Sequence, residues 1–293
     1  MRRYEHIQAI VELIIAAAFW GFGFIAVVWT LKGLNFAELT WLRFALAGMV
    51  GLPFLLGCSR EELNQIFRLS FWPSVFLMGT LIFQSWGLNY TTATKSGFIT
   101  TLYVVFVPIL ESFMMKHRLP WTLWACVLLA LVGTGLFVDV SLSQINLGDV
   151  LTLICAFFAS GQIYILSVVS PQVRRPFVFN VSQSVWGSVL LFPLILNSTY
   201  WSEPAKVLSW PPEVYWGIAS LAFGSTVLAF YLQIRAQAKL SPTISSLLFL
   251  LESPFAMIFS ITLLGETLSS REAIGAGMIF ISAVGASMID LEG

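Results

Sequence analysis

Residues 241–268 read SPTISSLLFLLESPFAMIFSITLLGETL. The run is apolar for long enough to cross a bilayer, yet it holds Glu252 about nine to twelve residues from either end. At about 1.5 Å of rise per residue this is roughly 15 Å from each interface, the middle of a roughly 30 Å hydrocarbon core. An unpaired carboxylate at that depth costs at least about 2.5 kcal/mol, so Glu252 is expected to face protein or a water-filled cavity. Pro254, two residues later, removes a backbone donor and predicts a kink beside the carboxylate. A buried acid at a helix break can bind something polar.

The rest of the 293-residue chain has the composition of a scaffold in lipid. It is 58% hydrophobic and 10% charged, against about 25% charged for a soluble domain. A formal net charge of zero gives no sign of a nucleic-acid partner. Cys58, Cys126 and Cys155 form no C-x-x-C or Cys/His cluster and read as small hydrophobic residues, so neither a disulfide framework, a metal nor a cofactor is expected. The start, MRRYEHIQAIVELIIAAAFWGFGF, has a signal peptide's charged and apolar regions, but its apolar run is too long and reads as the first span.

Ten candidate spans follow one another: residues 8–31, 36–57, 71–91, 95–115, 121–140, 148–169, 176–197, 212–235, 241–264 and 270–290. The longest connection, 197–211, has no room for a soluble domain. Alternate loops carry Arg2, Arg3, Arg60, Arg68, Lys116, Arg118, Arg174, Arg175, Arg235 and Lys239 on one side, and Lys32, Lys95, Lys206 and Arg271 on the other. By the positive-inside rule both termini are expected in the cytoplasm, with the protein in the inner (plasma) membrane of a bacterial cell or its equivalent.

Residues 95–139 and 241–289 share a plan: a polar start, a long apolar run with proline at 108 or 254, a short polar turn, then a glycine-rich span. AAAFWGFGF in span 1 also corresponds loosely to ICAFFASGQ in span 6. The reading is an all-α integral membrane protein of ten transmembrane helices, two five-helix repeats over 1–140 and 141–293. An odd number of spans per half puts the copies in opposite orientations, as in many secondary transporters whose substrate site lies at the midplane between the halves.

Trp20-Gly21, LTWLRFALAG around Arg43, TTATKSGFITTLYVVFVPIL, Gly148-Asp149, LLESPFAMIFSITLLGETL and Ile274-Gly275-Ala276, in that order and spacing, resemble the EamA-type family of the drug/metabolite transporter superfamily. Two departures stand out: Glu252-Ser253-Pro254 where the family often reads Glu-Pro, and Lys116-His117-Arg118-Leu119 where a Gly-Glu pair is usual. The resemblance implies ten helices, cytoplasmic termini, a central cavity between the halves, and secondary transport of small metabolites, often export.

Glu252 leads the candidate site residues, as proton acceptor, substrate-amine partner or hydrogen-bonding partner of a neighbouring hydroxyl. A buried carboxyl can be neutral at pH 7, which suits proton coupling. Lys95 either meets a carboxylate substrate at the cavity mouth or snorkels to the interface, and Ile99, Leu102, Tyr103 and Phe106 follow it at helical spacing. Glu111, about five residues from Lys116, reaches the interface, pairs with a base or serves a cytoplasmic gate. Glu12 is a helix contact, a ligand or an interfacial residue. Arg43 is explained cheaply by snorkelling or pairing with Glu38, and reads as structural. Trp20 and Phe24, Gln84 and Trp86, Gln162 and Tyr164, Gln183 and Trp186, and Tyr231 and Gln233 complete a lining of aromatic walls with a few amides, suited to a small amphipathic molecule. About half of these are expected to face lipid or helix seams instead, because neighbours on a helix point about 100° apart. Gly133 and Gly135 in span 5, and Ala273, Gly277 and Gly285 in span 10, suit tight packing within the chain or in a homodimer.

No H-E-x-x-H, Gly-rich phosphate loop or Ser/His pair points to an enzyme, and nothing suggests a channel's charged ring or carbonyl filter. The expected function is a secondary transporter, an exporter of an amino acid or related amphipathic metabolite working by alternating access. The alternative is a lipid or glycolipid flippase, or a drug efflux carrier, of the same fold.

Overall fold

The computed structural model describes residues 2–292 apart from 88, 92, 117, 139–144, 197–208, 266 and 268. Among the described residues the secondary structure is entirely helical. The helices are α1 (Arg2–Thr30), α2 (Phe36–Leu56), α3 (Arg60–Gly87), α4 (Ala93–Thr100), α5 (Tyr103–Met115), α6 (Trp121–Val138), α7 (Leu147–Val169) and α8 (Pro176–Leu191). They continue with α9 (Pro212–Ala219), a π-helical stretch Ser220–Ala229, α10 (Phe230–Gln237), α11 (Pro242–Phe249), α12 (Glu252–Phe259), a second π-helical stretch Ser260–Leu264, and α13 (Ser270–Glu292). Nine helical runs among the described residues are long and apolar enough to cross a membrane, and Trp121–Leu136 is a shorter apolar helix. Of the ten spans expected, nine correspond to these runs, and the fifth corresponds to the shorter helix, which leads into residues 139–144 outside the described ones.

Local chemistry starts these helices. Asn35 and Glu38 cap α2 reciprocally, Asn35 Oδ1 accepting from Glu38 N–H at 3.0 Å and Glu38 Oε2 from Asn35 N–H at 2.8 Å. Asn146 and Asp149 repeat the device on α7. Pro176, Pro212 and Pro242 open α8, α9 and α11, where a missing N–H costs no helical bond.

Two spans are interrupted in the same way. Between α4 and α5 the chain tightens at Thr101 and Leu102, whose N–H groups donate three residues back to Phe98 and Ile99 at 3.1 Å each. Between α11 and α12 it does so at Leu250 and Leu251, with Leu251 N–H donating to Leu248 O and Ser253 N–H to Leu250 O at 3.2 Å each. Pro254 cannot donate to Leu250 O, and Ser253 takes that carbonyl instead. The kink expected beside Glu252 is therefore present. The starts of α11, α12 and α13 each lie 149 residues beyond those of α4, α5 and α6 (93 to 242, 103 to 252, 121 to 270), so Tyr103 and Glu252 occupy the same place after their breaks.

The helices before residue 139 pack mainly on those after 146. α1 lies against α9, α10, α11 and α12, α7 against α3, α4 and α5, α2 against α8, α5 against α11, and α6 against α13. At Gly133 a Cβ would come within 2.8 Å of Met278 Cβ and 2.9 Å of Gly275 O, so this glycine is required by the approach of α13 within the same chain. The alternating helices give the bundle a near face, where α1 begins, and a far face, where it ends.

Burial differs between those faces. Leu13, Ala17, Val104, Val107, Ile244, Leu247, Leu248 and Ile279 form a dry core in the near half. All eight residues of α11 are buried, whereas none of α12 is. Residues 13, 17, 20, 24, 28 and 31 share one face of α1. Leu13 and Ala17 are fully buried, but Phe24, Val28 and Leu31 are 54%, 50% and 45% exposed. One helix face passes from sealed to open near Trp20.

Candidate functional site

Glu252 begins α12 at that transition. It is half-buried and makes no hydrogen bond or ion pair among the described residues. Its carbonyl lies against Gly21, where a Cβ would meet Glu252 O at 2.8 Å and Phe255 Cβ at 2.7 Å, so only glycine lets α1 approach the break this closely. Tyr103, 6% exposed, is within electrostatic reach of the carboxylate, and its buried hydroxyl has no hydrogen-bond partner among the described residues. The two breaks thus bring an acid and a phenol together in the apolar interior, each with bonding capacity left over. The hydroxyl partner considered for Glu252 is not seen among the described residues.

Trp20 forms the adjoining wall. Its ring centroid is 5.2 Å from Phe249 and 5.6 Å from Phe230, and its indole N–H donates to Ser225 O at 3.2 Å. That carbonyl belongs to the π-helical stretch, whose wider turns offer backbone oxygens to other helices. Asn180 Nδ2 donates to Thr226 O at 3.2 Å and to Val227 O at 2.7 Å. Such sharing answers the requirement that backbone groups in lipid be satisfied by protein.

Arg43 joins the same stretch. Its Nε donates to Thr226 Oγ1 and its Nη2 to Ser225 Oγ, both at 2.8 Å. It neither snorkels nor pairs with Glu38, because its guanidinium turns inward and finds hydroxyls there. The sequence signal was present, an arginine seven residues inside an apolar span, but the π-helical widening that receives it leaves no mark in residue periodicity.

Several other candidates lie at the closed near end. Glu12, 6% exposed, makes a helix contact: its Oε1 pairs with Arg235 Nη2 at 2.7 Å and accepts from Gln8 Nε2 at 3.0 Å. Tyr231 belongs to this cluster and not to a midspan lining, since its hydroxyl accepts from Arg235 Nη1 at 3.1 Å and its ring meets Phe177. Glu111, 2% exposed, reaches α11 instead of the interface, and Thr243 donates to its Oε2 from both N–H, at 2.9 Å, and hydroxyl. Tyr164 is within electrostatic reach of Glu111. Gln162 Oε1 accepts from Gln233 Nε2 at 3.5 Å, and Gln237 Nε2 donates to Ile163 O and Ser167 Oγ at 3.0 and 2.8 Å.

On the far side, Gln84 Nε2 reaches Thr100 Oγ1 at 3.5 Å and Phe24 lies on the open face of α1, while Phe106, between Val104 and Val107, is half-buried in the near half. Trp186 is corrected: its indole N–H donates to Phe67 O at 3.1 Å and its ring packs on Phe67 and Phe71, which puts it in the seam between α3 and α8. The side chain of Lys95 lies outside the described residues.

A profile of the EamA-like transporter family matches residues 8–138 and, separately, 146–288. An uncharacterized transporter of Archaeoglobus fulgidus is 30% identical over 280 residues, covering 96% of this chain and 86% of its own. A second uncharacterized transporter from that organism is 22% identical over 281 residues, covering 92% and 95%. A protein crystal structure superposes with a TM-score of 0.77 at 17% identity, covering 96% of this chain and 98% of that one, which carries the fold alone. With matches over both halves, and around a pair of helix breaks that join an unpaired acid to a phenol in a lipid-type bundle, the chain belongs to the EamA-like transporter family.

Proposed function

We propose that the protein is a secondary transporter that exports an amino acid or related amphipathic metabolite by alternating access, built as two inverted five-helix repeats with both termini in the cytoplasm. The double family match, the constant 149-residue offset of the paired elements and the packing of each half against the other support the repeat. The bias of basic loop residues toward the near face supports its cytoplasmic orientation.

The observation that carries the mechanism is the change along α1, one face dry at Leu13 and Ala17 and open at Phe24, Val28 and Leu31. It fits an outward-open conformation. The near end is then the closed gate: Glu12–Arg235 joins α1 to α10, Glu111–Thr243 joins α5 to α11, and Gln237 joins α10 to α7. Reversal would require those contacts to part and α1, α4 and α12 to close over the far side. Glu252 and Tyr103, at the two breaks, sit where both motions hinge, and Glu252 is the group that would take up a proton or a cationic substrate group.

Uptake into proteoliposomes of a panel of amino acids, vitamins, nucleosides and cationic dyes, with and without an inward proton gradient, tests this reading. Uptake that follows the gradient and is lost in Glu252→Gln is the expected result. Gradient-driven transport that survives Glu252→Gln overturns proton coupling at this residue. Failure to move any soluble compound overturns the metabolite reading in favour of a lipid flippase.

A further inference from the structure

Arg43 holds a permanent charge that the described protein does not neutralise. The guanidinium is half-buried, and two of its three nitrogens are held by neutral hydroxyls, Nε by Thr226 and Nη2 by Ser225 at 2.8 Å each. Nη1 makes no hydrogen bond among the described residues and is not among their sealed polar atoms that lack a partner. No carboxylate pairs with it among the described residues. Hydroxyls fix its direction but do not offset its charge, and an uncompensated cation inside a membrane protein is costly unless a ligand or water completes it. Arg235 provides the internal contrast, with its own carboxylate at 2.7 Å.

Arg43 also reaches the residue that holds Trp20. Trp20 donates to the carbonyl of Ser225, the residue whose hydroxyl accepts from Arg43, and its neighbour Gly21 lies against the carbonyl of Glu252. The two opposite charges do not pair with each other among the described residues. A molecule that carries an anionic group on an apolar body would satisfy the guanidinium.

We propose that Arg43 is an anion-binding residue of the substrate site and that its ligand is the carboxylate of the substrate. The proposal rests on the transporter reading above and adds a chemical requirement to it. A guanidinium already oriented through two of its nitrogens, with the third unengaged, presents fixed donors to a carboxylate without the entropy cost of ordering a loose side chain.

Phenylalanine, phenethylamine (the same body without the carboxylate) and N-acetylphenylalanine (without the ammonium) are suitable probes. Their binding to the purified protein is read by thermal shift, and their uptake in proteoliposomes is read in parallel. The expected result is preference for phenylalanine over both analogues, with Arg43→Gln removing about ten- to a hundredfold of the preference over phenethylamine. Arg43→Lys keeps the charge without the fork and is expected to be intermediate. The comparison of the three ligands on the unaltered protein needs no variant, so a misfolded Arg43→Gln does not remove the test. Equal binding of phenylalanine and phenethylamine, or an Arg43→Gln effect that falls alike on both, overturns the anion subsite and leaves the transporter intact. Preference for phenylalanine in binding without any uptake keeps the subsite and overturns transport. Binding of none of the three overturns the subsite and the amino-acid reading together.

Discussion

The two halves of the ninth span, Pro242–Phe249 and Glu252–Phe259, are equally long and similarly apolar, yet every residue of the first is buried and none of the second. The first half is enclosed by α1, α5, α7 and α13, whereas the second leans mainly on α1 through Gly21 and the Phe22–Phe259 ring pair. Hydrophobicity therefore does not decide which part of a span is sealed in a bundle of this kind. Both halves lie at the depth of the hydrocarbon, and sealing follows from which neighbours converge. The change occurs at the turn before Glu252, where a broken helix can swing without breaking regular hydrogen bonds.

The comparison breaks most directly on access to water. Ser245 and Ala256 lie seven residues before and four after Glu252, on the same helix face. In a background without the three native cysteines, a membrane-impermeant maleimide added from the far side is expected to label Ala256→Cys and leave Ser245→Cys untouched. Protection of both would mean that the exposed half of the span faces lipid and not an aqueous cavity.

A smaller but still severe effect is expected at the hinge contact. Gly21→Leu places a side chain where Phe255 Cβ, Ala256 N and Glu252 O already lie within 2.8 Å of a Cβ. Since two of these atoms are backbone, the cost should exceed the ~1–3 kcal/mol of ordinary overpacking. Thermal unfolding of the purified protein should show a large loss of stability, while Gly277→Leu, with no atom within 4 Å, should leave it near the parent value. Similar curves for the two variants would show that α1 does not need its close approach to α12.

The smallest effect sharpens the role of Trp20. Trp20→Phe keeps an aromatic ring against Phe249 and Phe230 but loses the donor to Ser225 O. A loss of about 0.5–1.5 kcal/mol is expected from one hydrogen bond, read by the same unfolding measurement. No change would mean that the indole contributes only its ring.

Much of this was legible in the residues. Ten long apolar runs, ten basic residues on one side of them against four on the other, and a carboxylate at mid-depth followed by proline follow from counting and spacing. The kink at Glu252 is where Pro254 put it. The companion break before Tyr103 was not readable, because it contains no proline and is visible only as hydrogen bonds from Thr101 and Leu102 that reach three residues back. Glu12 was expected as a helix contact, a ligand or an interfacial residue and makes a helix contact, whereas Tyr231, expected in the lining, joins Arg235; an ion pair between residues 12 and 235 has no signature in the sequence around either. Trp186 shows the same limit, since its indole found a carbonyl of a helix more than a hundred residues earlier.

Sequence alone determined what must be in the membrane, where the spans begin through their caps and prolines, and which side chains are costly there, because these depend on local chemistry and on transfer from water. Only the tertiary structure decided how each costly group is satisfied. Arg235 received a carboxylate, Glu111 a threonine, and Arg43 two hydroxyls on a widened helix, while Glu252 received no partner among the described residues. The physical reason is that satisfaction of a buried charge is a property of the helices that converge on it, and convergence is set by packing between segments far apart in the chain.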